Sequence, residues 1–100
     1  MLRWIAKSFK GMGHLKSKTH EDRKLVRLGR DEYKYCEGDH ALILQVEMLN
    51  GKPNRLIYSS TIKKWLPPHE DEAIEATRQR EIAERIAALF EENGYSVEIQ

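Results

Sequence analysis

One segment sets the architecture of this chain: Leu56–Glu72, with the sequence LIYSSTIKKWLPPHEDE. Its first residues have the apolar character of a strand, and Trp65 then precedes two consecutive prolines. Pro67 and Pro68 hold their own φ at about −65° and disfavour the helical conformation in the residue before each of them. The backbone between Trp65 and His69 is therefore predicted to be extended. The segment predicts a rigid corner between a sheet and a helix.

Four runs of apolar residues before the prolines predict β-strands. Their bounds are Leu25–Leu28, Tyr33–Cys36, Ala41–Leu49 and Arg55–Ser59, and turn residues such as Gly38 and Asn50-Gly51 lie between them. In the third run the residues alternate, so one face is predicted to lie in the core, namely Leu42, Leu44, Val46 and Met48. Three interpretations of Ile62–Trp65 stay open: a continuation of the strand past a bulge, a separate short strand, or one turn of helix.

A long helix is predicted after the corner. Ile82, Ile86, Leu89 and Phe90 recur at helical spacing and form the apolar stripe of a helix that lies on a sheet. The acidic residues after the prolines suit its first turn, with Asp71 as a candidate cap, and Asn93-Gly94 is a stop signal. Tyr95–Ile99 then alternates like a final strand. The predicted fold is α+β: an antiparallel β-meander, one long C-terminal helix packed on it, and a short last strand that returns to the sheet.

Length and composition narrow the class of protein. One hundred residues make one domain, and 40% hydrophobic with 33% charged residues is typical of a globular chain. No apolar run approaches the roughly 20 residues that span a bilayer, and Met1–Phe9 lacks the continuous apolar core of a secretory signal. Cys36 is the only cysteine, so no internal disulfide can form. These features predict a cytoplasmic protein.

Charge is distributed unevenly along the chain. Residues 1–30 carry nine Lys or Arg against two acidic residues, whereas residues 31–100 carry eight against fourteen. This asymmetry and the change of pattern predict a basic N-terminal arm, residues 1–23, followed by a single α+β domain, residues 24–100. Within the arm, Leu2–Lys10 has the spacing of a short amphipathic helix, and His14–Asp22 is interpreted as a polar linker.

The basic arm has three open interpretations. It binds nucleic acid or anionic lipid, it docks on the acidic domain, or it is a frayed extension. Under the first interpretation, the binding residues are Arg3, Lys7, Lys10, Lys16 and Lys18.

The chain carries none of the common catalytic motifs, and we predict that it is not an enzyme. There is no Gly-x-Ser-x-Gly, phosphate loop, dinucleotide fingerprint or His-Glu-x-x-His. Cys36 lies in a predicted strand and is interpreted as a small apolar filler. The four histidines, His14, His20, His40 and His69, are dispersed, so no metal site and no cofactor are predicted. His69 beside Glu70 and Asp71 is either half of a ligand pair or a turn histidine bonded to local backbone.

The corner and the end of the helix carry a resemblance to a known family. The residues concerned are Leu56-Ile57-Tyr58, Ser60-Thr61-Ile62, Lys64-Trp65, Pro67-Pro68-His69 and Asn93-Gly94-Tyr95. Over roughly residues 24–99 the pattern resembles the immunity protein 74 family, the antidotes of bacterial polymorphic toxin systems. The resemblance implies an immunity protein that binds and neutralises a cognate toxin domain stoichiometrically. It implies no cofactor and no small-molecule substrate.

Acidic residues after the corner are the candidate contacts for such a toxin. The active site of a nuclease is built to hold phosphates, so an acidic surface opposes it. Trp65 has two interpretations, packing under the helix or direct contact with the partner. The alternative function is a small nucleic-acid- or membrane-associated adaptor that binds through the basic arm. The predicted partner-binding residues are Trp65, His69, Glu70, Asp71, Glu72 and Glu75.

Overall fold

The computed structural model describes residues 14–16 and 22–100. Strand β1 is His14–Lys16, β2 is Arg23–Arg27, β3 is Glu32–Glu37, β4 is His40–Met48, β5 is Arg55–Ile57 and β6 is Val97–Ile99. A 3₁₀ helix at Ser59–Thr61 follows β5, and the α-helix α1 spans Ala76–Glu92. In this part of the chain one α-helix packs on a six-stranded sheet, so the predicted α+β class is confirmed.

The strands follow one another across the sheet in chain order, from β1 to β6. Neighbours from β1 to β5 are antiparallel, as a meander requires, but β6 runs parallel to β5. The sheet is therefore mixed, and the prediction of an antiparallel sheet is wrong at this edge. The physical reason is α1, because a helical crossover carries the chain back along the sheet and lets the next strand start in the same direction.

The predicted core face of β4 is correct for three of its four residues. Leu42, Leu44 and Val46 are at most 1% exposed and share one core with the apolar stripe of α1. Burying such a side chain stabilises the fold by roughly 1.5–3 kcal/mol. Met48 is 37% exposed, contrary to the prediction, because it is the last residue of β4 and pairs with Arg55 at the end of the ladder.

The segment after β5 covers the part of β4 that β5 leaves unpaired. The Tyr58 N–H donates to the Gln45 carbonyl at 3.5 Å, and the Leu66 N–H donates to the Ala41 carbonyl at 2.7 Å. The Thr61 hydroxyl accepts the Gln45 N–H at 3.2 Å. Residues 62–65, for which three interpretations were open, belong to this irregular segment, and their regular pairing is one isolated bridge between residues 64 and 73.

α1 begins later than the sequence predicts. Its first residue is Ala76, so residues 70–72 lie before the helix and Asp71 does not cap it. These residues form a turn, in which the Glu72 N–H donates to the His69 carbonyl at 3.0 Å. The bridge at Ala73 then keeps the chain extended. The helix can start only after this bridge.

α1 ends where its stop signal predicts. Gly94 has φ +91°, a conformation that glycine adopts without a steric penalty. The Gly94 N–H donates to the Glu91 carbonyl at 3.1 Å, and the Tyr95 N–H donates to the Phe90 carbonyl at 3.0 Å, which is the pattern of a Schellman motif. No helix in the described residues is long and apolar enough to cross a membrane.

β1 corrects the interpretation of His14–Asp22 as a linker. Its three residues pair antiparallel with β2, and Leu15, opposite Leu25, joins the core with 9% of its surface exposed. The sequence pattern did not predict this strand, because the segment is polar and contributes a single leucine to the core. The helix predicted at residues 2–10 lies outside the described residues, and the division of the chain into an arm and a domain stays a prediction.

Candidate functional site

Two histidines that are distant in the sequence stack on each other beside the proline corner. His40 is the first residue of β4 and His69 follows the prolines. Their ring centroids are 3.7 Å apart, and the ring planes differ by 13°. The carboxylates of Asp39 and Glu72 close the two sides of the stack. We call Asp39, His40, His69 and Glu72 the histidine cluster.

Each imidazole of the histidine cluster faces a carboxylate at both ring nitrogens. Glu72 places one oxygen 2.9 Å from His40 Nε2 and the other 2.7 Å from His69 Nδ1. Asp39 lies 2.9 Å from His40 Nδ1 and 3.5 Å from His69 Nε2. Since His40 and Glu72 are 32 residues apart, the cluster ties the β3–β4 turn to the segment that leads into α1.

Local conformation explains how the two halves of the cluster are presented. Gly38, at φ +61°, and Asp39 form the two-residue turn between β3 and β4, and the first position of this turn favours glycine because its φ is positive. The turn places His40 at the start of β4. On the other side, the His69 N–H donates to the Leu66 carbonyl at 3.0 Å, and Leu66 is itself bonded to β4. The proline corner therefore lies beside His40.

Trp65 borders the cluster from the core. Its ring is edge-on to His40, with 4.8 Å between the centroids and 73° between the planes. Trp65 is 5% exposed and belongs to the hydrophobic core. Its side chain thus packs in the interior against one side of His40, and little of it is accessible to another molecule.

Hydrogen bonds within the cluster shift the pKa values of its members. The bond to Glu72 raises the pKa of His40, and the bond to Asp39 acts in the same direction. The bond with His40 lowers the pKa of Asp39. The bonds with His40 and with His69 lower the pKa of Glu72. These shifts favour a positive His40 between two negative carboxylates.

A second charged cluster begins at the residue before the same turn. Glu37 accepts hydrogen bonds from the Tyr35 hydroxyl and from Arg85 Nη1, both at 2.6 Å, and from Arg78 Nη2 at 3.2 Å. We call Tyr35, Glu37, Arg78 and Arg85 the Glu37 cluster. Partial burial raises the pKa of Glu37, but the bonds from Tyr35 and Arg85 outweigh it and lower that pKa to about 2. This cluster joins β3 to α1.

The six predicted partner-binding residues divide into two sets. Glu70, Asp71 and Glu75 are exposed and form no ion pair within the described residues. We call these three residues the acidic segment. The other three have partners within the chain: His69 and the exposed Glu72 belong to the histidine cluster, and Trp65 lies in the core.

Of the residues predicted to bind nucleic acid or lipid, the structure describes Lys16. It is exposed on β1, directly opposite Lys24 of β2. The other four, Arg3, Lys7, Lys10 and Lys18, lie outside the described residues.

Sequence reasoning missed Asp39 and His40 as site residues. The turn and the corner bring His40 and His69 together, so these two histidines are not dispersed in space, whereas the absence of a metal site stays a prediction. The Glu37-Gly38-Asp39 turn signal placed His40 directly before a predicted strand. It contained no information about which distant segment that turn would meet.

The described residues define a small α+β protein whose single described α-helix lies on a mixed sheet, with charged clusters at the sheet-to-helix corner. The chain belongs to the immunity protein 74 family, whose model matches residues 25–100. The predicted resemblance is therefore confirmed, and the matched range includes both clusters. No curated protein and no solved structure matches this chain.

Proposed function

We propose that this chain is a cytoplasmic immunity protein of a bacterial polymorphic toxin system. It binds its cognate toxin domain one to one and blocks it, without catalysing a reaction. The observation that carries the proposal is membership of the immunity protein 74 family over residues 25–100. The partner is therefore a protein, and inhibition needs no small-molecule substrate and no cofactor.

The acidic segment is the surface that we assign to the toxin. Glu70, Asp71 and Glu75 are exposed, and no ion pair neutralises them among the described residues. The corner that carries them is held to β4 by the hydrogen bond from Leu66 and by the histidine cluster. A surface that is already ordered loses little conformational entropy when it binds. We assign Trp65 and Glu72 to holding this surface in place.

Charge supports this assignment. Residues 31–100 carry fourteen acidic residues against eight Lys or Arg. A toxin domain that acts on nucleic acid has a basic active site, because it must bind phosphates. Opposite charge across an interface accelerates association and selects the partner.

The test uses the cognate toxin domain, which we expect to be encoded beside the gene for this chain. Coexpression of the full chain should restore growth to cells that produce the toxin domain, and the purified proteins should form a one-to-one complex by light scattering. Replacing Glu70, Asp71 and Glu75 together by Ser should slow association about tenfold at low salt and flatten its salt dependence. Circular dichroism should stay unchanged.

A matched control removes three exposed acids elsewhere. The variant Glu32→Ser, Glu91→Ser, Glu98→Ser changes β3, α1 and β6 and has the same net charge as the first variant. Its association rate should stay close to that of the unchanged chain. Failure to restore growth would contradict the proposed function, whereas equal slowing by both variants would contradict only the assignment of the acidic segment.

A second candidate function rests on the start of the sheet. Lys16 and Lys24 are exposed and directly opposite each other, a like-charged pair that is unfavourable unless an anion lies near it. This pair, with the basic residues before it in the chain, supports a nucleic-acid- or membrane-associated adaptor. Binding of RNA, DNA or anionic vesicles that falls steeply with added salt would favour that function over toxin neutralisation.

A further inference from the structure

With both imidazoles neutral, the histidine cluster is short of hydrogen-bond donors. Two neutral imidazoles carry one N–H each, whereas the cluster has four contacts between ring nitrogens and carboxylate oxygens. With both N–H groups directed at Glu72, its two oxygens are satisfied at 2.9 and 2.7 Å. His40 Nδ1 and His69 Nε2 then turn lone pairs toward the oxygens of Asp39. Because lone pairs face lone pairs on that side, the arrangement favours a bound cation.

The groups on the Asp39 side are ligands that Zn²⁺ prefers. One oxygen of Asp39 and one nitrogen from each of His40 and His69 lie within 4.8 Å of one another. Zn²⁺ takes imidazole nitrogen and carboxylate oxygen in four-coordinate sites, and water fills the fourth position where the protein supplies three ligands. The side chain of Asp39 is 82% exposed, so an ion and a water molecule can reach it from solvent.

Glu72 has the position of an outer partner in a metal site. A histidine that ligates a metal usually donates its other ring N–H to a carboxylate, which fixes the tautomer and the orientation of the ring. Glu72 offers one oxygen to each ring, and Trp65 holds His40 from the core side.

Chelation requires a small rearrangement of the two rings. Stacked rings point their lone pairs side by side, so each ring must rotate about its side-chain bonds toward Asp39. The side chains of His40 and His69 are 27% and 19% exposed, so part of each side chain faces solvent rather than the core.

We propose that Asp39, His40 and His69 bind one Zn²⁺ ion, with Glu72 holding both imidazoles from behind and water completing the coordination. The ion joins the β3–β4 turn to the proline corner. The site is independent of the proposed function, because no toxin contact enters its derivation.

Isothermal titration calorimetry tests the site directly. ZnCl₂ titrated into the EDTA-treated and dialysed full chain at neutral pH should bind one ion per chain. MgCl₂ should not bind, since Mg²⁺ prefers oxygen ligands. His69→Gln removes a ligand and should weaken Zn²⁺ binding at least about 100-fold, and Glu72→Gln should weaken it roughly 10–100-fold. Co²⁺ in the same site should show the visible absorption of four-coordinate cobalt.

Matched variants separate this site from other Zn²⁺ ligands in the chain. The double variant His14→Gln, His20→Gln and the single variants Cys36→Ser and Glu70→Gln should bind Zn²⁺ as the unchanged chain does. Circular dichroism checks that each variant is folded. If His69→Gln unfolds, the Zn²⁺ affinity of Glu72→Gln tests the site, because that variant keeps all three ligands. Absence of Zn²⁺ binding would overturn the proposal and leave protons as the only cations of the cluster. Unchanged affinity in Glu72→Gln, or loss of binding in the His14, His20 variant, would also overturn it.

Discussion

The Glu37 cluster and the histidine cluster flank the same two-residue turn, since Glu37 and His40 are direct partners in the β3–β4 ladder. The two clusters contain different positively charged side chains. Glu37, with its side chain 18% exposed, is bonded to the guanidinium groups of Arg78 and Arg85, which stay charged at every accessible pH. The histidine cluster has imidazoles instead, whose charge depends on pH in the physiological range.

This difference separates a permanent connection from an adjustable one. The Glu37 cluster joins β3 to α1 through charges that do not change near neutral pH. The histidine cluster joins the turn to the corner through groups that need protons or a metal ion to balance their carboxylates. The adjustable connection is the one nearest the acidic segment, the surface that we assign to the toxin.

The largest effect is expected from the residue that supports the histidine cluster from the core. Trp65→Ala should lower the free energy of unfolding by roughly 3–5 kcal/mol, because it removes a ring that is 5% exposed. Total stabilities of small domains are about 5–15 kcal/mol, so this variant will be close to unfolding. Urea denaturation followed by circular dichroism measures the loss, and Trp65→Phe should lose less. A well-folded Trp65→Ala chain that no longer binds its partner would place Trp65 in the interface.

Breaking the permanent connection should have the next largest effect. Glu37→Gln should cost about 2 kcal/mol, because it removes the half-buried carboxylate that pairs with Arg78 and Arg85 and leaves both guanidinium groups with the exposed Glu81. The control is Glu84→Gln, which removes an exposed pair with Arg80 at 3.4 Å and should cost under about 0.5 kcal/mol. Equal losses in the two variants would mean that the Glu37 cluster is no stronger than a surface ion pair.

Acid should weaken the Glu37 cluster in a defined pH range. The pKa of Glu37 is lowered to about 2 from an ordinary value of 4.5. A carboxyl whose pKa is lowered on folding contributes stability that is fully present above the ordinary value and is lost as the pH falls through the folded value. The urea midpoints of the full chain and of Glu37→Gln should therefore converge as the pH falls from about 4.5 toward about 2. A difference that stays constant over this range would contradict the role of Glu37.

The smallest effect on stability is expected in the adjustable connection. In metal-free buffer, Glu72→Gln should lower the pKa of His40, because the bond to Glu72 is the largest contribution that raises it. A raised pKa contributes stability that is fully present below the ordinary histidine value of 6.5 and is lost as the pH rises through the raised value. NMR titration of the His40 ring protons measures the shift. Asp71→Asn is the control and should leave the pKa of His40 unchanged. If the pKa of His40 is also unchanged in Glu72→Gln, Glu72 does not raise it.

Local patterns predicted much of the fold. β2, β3 and β4 follow runs of alternating or aromatic residues, α1 follows the stripe from Ile82 to Phe90, and its end follows Gly94. Each of these signals depends on residues within a few positions of one another. The corner at the prolines was predicted in the same way, from the covalent geometry of Pro67 and Pro68. The extended backbone predicted between Trp65 and His69 is wrong, because the His69 N–H donates to the Leu66 carbonyl and closes a turn at the prolines.

The candidate site was predictable only in part. The acidic segment was visible as charge in the sequence, and the structure leaves it exposed. Asp39 and His40 were missed, because each has an ordinary place in a turn or at the start of a strand. Their role depends on contact with His69 and Glu72, which belong to another segment.

The sequence by itself determined which residues form β2 to β4, where α1 ends, where the chain turns its corner and which family it resembles. Backbone restrictions and hydrophobic periodicity decide these features over short distances. The tertiary structure alone decided that β6 pairs parallel to β5, that Leu15 enters the core, that α1 starts after Glu75 and that the two histidines stack. These depend on which distant segments meet, and that is settled by packing the whole core rather than by any local pattern.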